Sequence, residues 1–261
     1  GIPVICKAAM ADDRSDLGEA AKAGWVGRLV AWAGRRAFTR WVATTQAVKQ
    51  ALMRAGVAEP RITVIPNGVE LPKVLEPKRR RQPARRFLYL GRLSTNIQRD
   101  VPSLLYAFSS LADEFDSVQL AVVGGGDLLQ ETRALATSCR HSDRIQVPGQ
   151  AEAASWLDWA DCFVLPSRRE GLSNALLEAM ATGLPCIAND IGPNREVLAE
   201  GNAGLLVPVG DVARLCAAMA SFAREAETVE HYSSAARSRA ETTYLMHEVT
   251  RKYIDLYQEL H

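Results

Sequence analysis

From residue 87 onward, short apolar runs alternate with longer stretches in which apolar side chains recur every three or four positions. The runs at 87–90, 118–123, 144–147, 161–165, 185–188 and 205–207 are mostly apolar throughout, the pattern of strands buried on both faces. The stretches at 102–114, 127–139, 173–181 and 212–224 carry the period of amphipathic helices. Regular strand–helix alternation predicts an α/β fold, with a complete Rossmann-like parallel-sheet domain over 87–246. Upstream the pattern is shorter: strand-like 3–6, 42–44 and 62–65, a helix-like 46–55, and then the turn signal Pro66-Asn67-Gly68. Three strands are too few for an independent doubly wound sheet, so 1–70 reads as an incomplete second Rossmann-like domain. At the far end, 247–261 predicts a terminal helix with Val249, Tyr253, Leu256 and Leu260 on one face.

Composition narrows the classes without choosing among enzymes. With 48% hydrophobic and 23% charged residues in 261, the chain can bury one or two cores, which excludes disorder, collagen and coiled coil. No apolar run reaches the roughly 20 residues of a membrane span, and 1–13 lacks the basic and long apolar regions of a secretory leader. A cytoplasmic protein is expected, and the five scattered Cys fit a reducing compartment better than a disulfide or zinc framework. The net charge of +1 conceals an asymmetry: 1–86 holds 17 Lys/Arg against 7 Asp/Glu, and 87–261 holds 14 against 23. Much of the positive excess lies in 71–86, whose three Pro and seven Lys/Arg predict a solvated inter-domain linker. Nucleic-acid binding through that lone basic run is not expected. A second basic stretch mixes Trp25, Trp32, Phe38 and Trp41 with Arg28, Arg35, Arg36 and Arg40. That mixture fits either a partly buried helix with a solvated basic edge or a peripheral contact with anionic lipid at Trp25–Trp41.

Ligands of open α/β sheets sit outside the carboxyl ends of the strands, so the following loops are where chemistry is expected. Gly124-Gly125-Gly126-Asp127 either lets backbone N–H groups approach a phosphate or merely makes a tight turn. It is not a dinucleotide fingerprint, because the third Gly is replaced by Leu129, and no phosphate-binding G-x-x-x-x-G-K-[ST] loop occurs. Gly91-Arg92 and Arg99 bring two permanent cations close to a strand end and a helix start, where a diphosphate could be held; exposed arginines are also common without any ligand. Glu170-Gly171-Leu172-Ser173 leads into a helix containing Glu178, and 189–196 forms another polar strand-to-helix turn.

Taken together, VIPNGVE (64–70), FLYLGRLS (87–94), LLYAF (104–108), LAVVGGGD (120–127), DRIQVPG (143–149), the string from 159 to 190 and NAGLLVPVGD (202–211) resemble the donor-binding half of a retaining GT-B glycosyltransferase of family 4. The resemblance runs in register over roughly 42–215 and implies a complete C-terminal donor domain preceded by the end of an N-terminal acceptor domain, as in an N-terminally truncated member. It implies transfer from a nucleotide-diphosphate sugar, UDP preferred, to a glycan or lipid-linked acceptor with retention at the anomeric carbon. It needs no cofactor and no metal. The alternative is a nucleotide-sugar-binding fragment or partner subunit without turnover.

The resemblance also implies roles for individual residues. Glu170 and Glu178 match an E-x7-E motif, with the first near the reacting centre and the second at the ribose hydroxyls. Arg92 matches the diphosphate-neutralising cation after Gly91, and Arg99 stands where a second such cation, usually Lys, is expected. The N–H groups of Gly171, Leu172 and Ser173 would cradle phosphate or sugar, and Val147, Pro148, Gly149 and Gln150 would face the base. A His common in relatives is replaced by Ala9, while Lys7 with Asp16 fits a subset.

Overall fold

The computed structural model describes residues 3–8, 37–72, 82–95 and 99–260. Two parallel sheets form. In the first, β1 (Ile5–Ala8), β2 (Arg40–Ala43) and β3 (Ile62–Val64) pair in that order, with Ile5 opposite Arg40 and Trp41 opposite Ile62. Helix α1 (Gln46–Arg54) covers one face and buries Val48 and Leu52 against Trp41, Ala43 and Ile62. The Thr45 side chain caps α1 by accepting from Val48 N. β1 begins two residues later than the pattern predicts, which places Lys7 inside the strand, opposite Val42. Trp41 is a core residue, stacked edge-on against Phe38, and is not available to a lipid surface; Trp25 and Trp32 lie outside the described residues.

The second sheet has six strands in the order β6-β5-β4-β7-β8-β9. These are β4 (Arg86–Leu90), β5 (Gln119–Val123), β6 (Ile145–Gly149), β7 (Cys162–Leu165), β8 (Cys186–Asn189) and β9 (Leu205–Val207). All are parallel, so their connections cross over through helices and bury both faces. One face carries α2 (Val101–Glu114), α3 (Leu129–Ser138) and α7 (Val212–Arg224), with Phe87, Tyr89, Phe108 and Phe222 fully buried. The other carries α4 (Ala153–Trp159), α5 (Asn174–Thr182) and α8 (Ala226–Thr243), packed on Leu88, Phe163 and Leu165. A short helix, α6 (Gly192–Val197), follows β8.

The strand order reverses between β4 and β7, so the chain leaves these neighbours toward opposite faces and opens a crevice at their carboxyl ends. The last helix, α9 (Met246–Glu259), crosses back to the first sheet, burying Val249 and Leu256 against Val42 and Ile65 with Tyr253 and Leu260 beside them. Its entry is fixed by an isolated parallel bridge: Val69 N donates to Tyr244 O and Met246 N to Val69 O. No helix among the described residues is long and apolar enough to cross a membrane.

Candidate functional site

Two loops flank the crevice, and their sequences decide its shape. After β4 the chain runs through Gly91, Arg92 and Leu93; after β5 it runs through Gly124, Gly125 and Gly126. Leu93 N donates to Gly125 O at 2.9 Å, and Leu128 N donates to Leu93 O at 3.0 Å. A Cβ on Gly124 would lie 1.8 Å from Gly91 O, and one on Gly126 would lie 1.9 Å from Leu93 O. The outer glycines therefore permit backbone to pack on backbone, the tight-turn reading, whereas a Cβ on Gly125 would meet only the Gln150 side chain, at 3.4 Å. Asp127 fastens the same loop: Thr95 N and Oγ1 donate to its Oδ2, and the Ser94 and Thr95 hydroxyls hold its carboxyl down at about 2.

These loops enclose an open cavity of about 630 Å³ lined by Gly91, Arg92, Ser94, Gly124 to Asp127, Gln150, Ala151, Ala175 and Glu178. Arg92 is exposed there, and among the described residues its guanidinium has neither an ion-pair nor a hydrogen-bond partner. Glu178 enters from the second turn of α5. It is half-buried, its carboxyl is raised by desolvation, and no described residue donates to it. An unpaired cation and an unpaired, partly dehydrated carboxylate in one cavity suit a ligand carrying both an anionic group and hydroxyl donors.

Arg99 and Glu170 form a separate cluster. The stretch before α2 and the loop after β7 meet in an antiparallel bridge between Arg99 and Ser167. The Arg99 guanidinium bonds both Ser167 Oγ and Glu170 Oε1, and Ser167 Oγ donates to Glu170 Oε1 at 3.1 Å. Asp100 caps α2 through Ser103 N and also accepts from Arg168 Nη2 at 2.8 Å. Both ends of the Arg99–Glu170 pair are buried, at 12% and 9% exposure, and burial lowers the Arg99 pKa. Arg99 is thus engaged with a carboxylate, while Arg92 is the open cation. Ser167, which the sequence reading passed over, is fully buried and holds Glu170; its position two residues beyond a strand end was the available signal.

The Gly171, Leu172 and Ser173 segment is buried just before α5, whose first turn Ser173 caps. Among the described residues, the N–H groups of these three donate to no carbonyl, while Gly171 O accepts from Thr45 Oγ1 at 3.3 Å. Val147, Pro148 and Gly149 are set differently from the expected base-facing strip. Val147 packs on the α3 side of the core, and the carbonyls of Val147 and Pro148 are taken by the Arg133 side chain. A Cβ on Gly149 would meet Arg133 and Leu129. The pleat of β6 turns Val147 and Gly149 toward α3 and leaves Pro148 exposed, and Gln150 and Ala151 line the cavity instead. Among the described residues no group of three His, Cys, Asp or Glu could hold a metal ion.

Residues 84–225 match the family model for glycosyl transferases group 1, more than half of the chain. The chain belongs to this family. Phosphatidyl-myo-inositol mannosyltransferase of Mycobacterium leprae is 33% identical to this group 1 member over 178 residues, 66% of this chain and 46% of its own length. Lipopolysaccharide 1,6-galactosyltransferase of Salmonella typhimurium is 30% identical over 179 residues, 66% of this chain and 48% of its own. The chain therefore spans about half the length of the curated relatives it matches. The fold is GT-B. Crystal structures of Anabaena HepE with UDP and glucose (TM-score 0.83, 17% identity) and of a mutant S. aureus TarM with fondaparinux, alpha-GlcNAc-glycerol and UDP (TM-score 0.82, 15% identity) each cover 98% of it. They match over 72% and 50% of their own chains respectively, and at such identities the likeness is one of fold.

Proposed function

We propose that this group 1 chain provides the donor half of a glycosyltransferase, taking a sugar from a nucleotide-diphosphate sugar, UDP preferred, for a glycan or lipid-linked acceptor. The observation that carries the reading is the convergence of Arg92 and Glu178, both unpaired among the described residues, on one cavity at the β4/β7 switch point. Arg92 would neutralise the diphosphate, which grows more negative as the sugar–phosphate bond breaks, so its attraction is strongest in the transition state. The N–H groups of Gly171, Leu172 and Ser173, which donate to no carbonyl among the described residues, would add donors at the start of α5. Glu178 would accept from ribose hydroxyls, offsetting the cost of its partial burial. Gln150, beside Gly125, would reach the base. Retention at the anomeric carbon is part of the proposal through the resemblance to family 4, and independence of metal is part of it because Arg92 and the helix N–H groups would supply the charge neutralisation otherwise left to a metal.

The test is a calorimetric titration with UDP, GDP and their sugar conjugates, on the wild type and on Arg92→Ala and Glu178→Ala. UDP binding that weakens by about tenfold or more in each variant is expected, the loss of one charge-assisted contact. Affinity unchanged in both would refute the site.

A further inference from the structure

Helix α1 belongs to the first domain, yet its beginning is completed from the second. An α-helix leaves its first N–H groups without intrahelical partners and carries partial positive charge there. α1 has no acidic residue in its first turn, and Thr45 satisfies only Val48 N. Gln46 N donates instead to Glu196 Oε2 at 2.7 Å. Glu196 stands on α6 of the donor-side domain, and its carboxylate is half-buried between the two bodies.

The surroundings make this contact a fixed strut. A Cβ on Gly192 would lie 3.2 Å from Ala47 Cβ, so the start of α6 abuts α1 closely. Behind Glu196, Arg239 Nη2 donates to Glu196 O at 3.2 Å, and the Arg239 guanidinium lies over the Tyr244 ring. Tyr244 O in turn receives Val69 N at the chain crossing between the domains. On the cavity side, Thr45, the cap of the same helix, reaches Gly171 O, and Asn67 Nδ2 donates to Asn174 Oδ1 at 2.6 Å at the head of α5. The beginning of α1 is thus tied both to Glu196 and to the segment that leads into Glu178.

We propose that Glu196 is a positioning residue: by capping α1 across the interface it sets how the first domain closes over the donor cavity. The consequence for transfer rests on the donor-site reading above; the capping itself does not.

Amide exchange and residual dipolar couplings measured by NMR on this chain, together with UDP titration, test the proposal. In Glu196→Ala, exchange at Gln46 is expected to rise about tenfold or more, the loss of a hydrogen bond to a charged acceptor. The couplings of β1 to β3 are expected to depart from the orientation they share with β4 to β9, while UDP affinity stays within about threefold, because Glu196 does not line the cavity. Glu196→Gln, which keeps an acceptor but loses the charge, should fall between. Gln46→Pro removes the donor from the other side at a first-turn position that tolerates proline, and should reorient the domains with Glu196 intact. Unchanged exchange, or unchanged orientation in both Glu196→Ala and Gln46→Pro, would overturn the proposal. A UDP affinity lost in Glu196→Ala without reorientation would overturn it too, by making Glu196 a ligand contact. Absence of UDP binding in the wild type would refute the donor site alone and leave the capping to be decided by exchange and couplings.

Discussion

Substituting Gly124 by Ala separates the two meanings a glycine-rich turn can have. Gly124 has φ +155, and an added methyl would lie 1.8 Å from Gly91 O and 2.8 Å from Gly91 C, which are backbone atoms that cannot rotate away. The loops would have to part by more than an ångström, endangering the bonds from Gly124 N to Gly149 O and from Leu93 N to Gly125 O. At about 1 kcal/mol for each bond, plus about 1–3 kcal/mol for the backbone conformation, the expected loss is about 3–5 kcal/mol. That is a large part of the roughly 5–15 kcal/mol that stabilises a domain. Gly125→Ala is the internal control: its methyl would meet only Gln150 at 3.4 Å, ordinary contact, so a change within about 0.5 kcal/mol is expected. Urea unfolding followed by far-ultraviolet circular dichroism, without any ligand, measures both. Equal stabilities for the two variants would refute the argument that Gly124 exists for loop-on-loop packing.

Other outcomes follow from the charges. Arg99→Ala strands the Glu170 carboxylate in a buried site, so a loss of about 3–5 kcal/mol in urea unfolding is expected, much of it recovered in Arg99→Leu with Glu170→Gln; additive losses would refute the pairing. Glu178→Gln should lower UDP affinity yet raise thermal stability at neutral pH, because desolvation raises the folded pKa of Glu178 and the charged form is penalised once pH exceeds it. Below the ordinary carboxylate value near 4.3 both forms are neutral and the two proteins should melt alike; at pH 7 the half-buried site gives a gain of at most about 1 kcal/mol, and a gain at pH 3 of the same size would contradict the sign. UDP binding is expected to be unchanged by EDTA, and a tenfold loss on chelation would refute metal independence.

Much of the fold is written locally. The strands from β4 to β9 fall on the apolar runs because burial on both faces leaves a nearly continuous hydrophobic signature, and α2 and α7 fall on clear helical periods. Helix α8 escaped that reading. Its buried residues are Val229, which joins the core of the opposite face, and the small Ser233, Ala236 and Ala240, of which Ala236 and Ala240 pack in the core with α5 but give almost no apolar contrast along the chain. β1 was misplaced by two residues for the related reason that a three-stranded, partly covered sheet imposes a weaker pattern.

The site divides along the same line. Motif spacing placed Arg92, Arg99, Glu170 and Glu178 at strand and helix ends, because the geometry of one strand-to-helix turn is local. Which carboxylate meets which cation is not local. Arg99 and Glu170 are brought together by two loops whose strands become neighbours only in the sheet, and Arg92 is left open because the glycine loop packs beside it. Glu196 is the clearest case: its chain neighbours read as a simple capping turn, and only the packing of one domain on the other turns its carboxylate toward a helix 150 residues away. Sequence by itself determined most of the elements and where their polar residues stand along the chain, since periodicity and turn residues act over a few positions. Tertiary structure decided the partners, since side chains pair across distances the chain pattern does not encode.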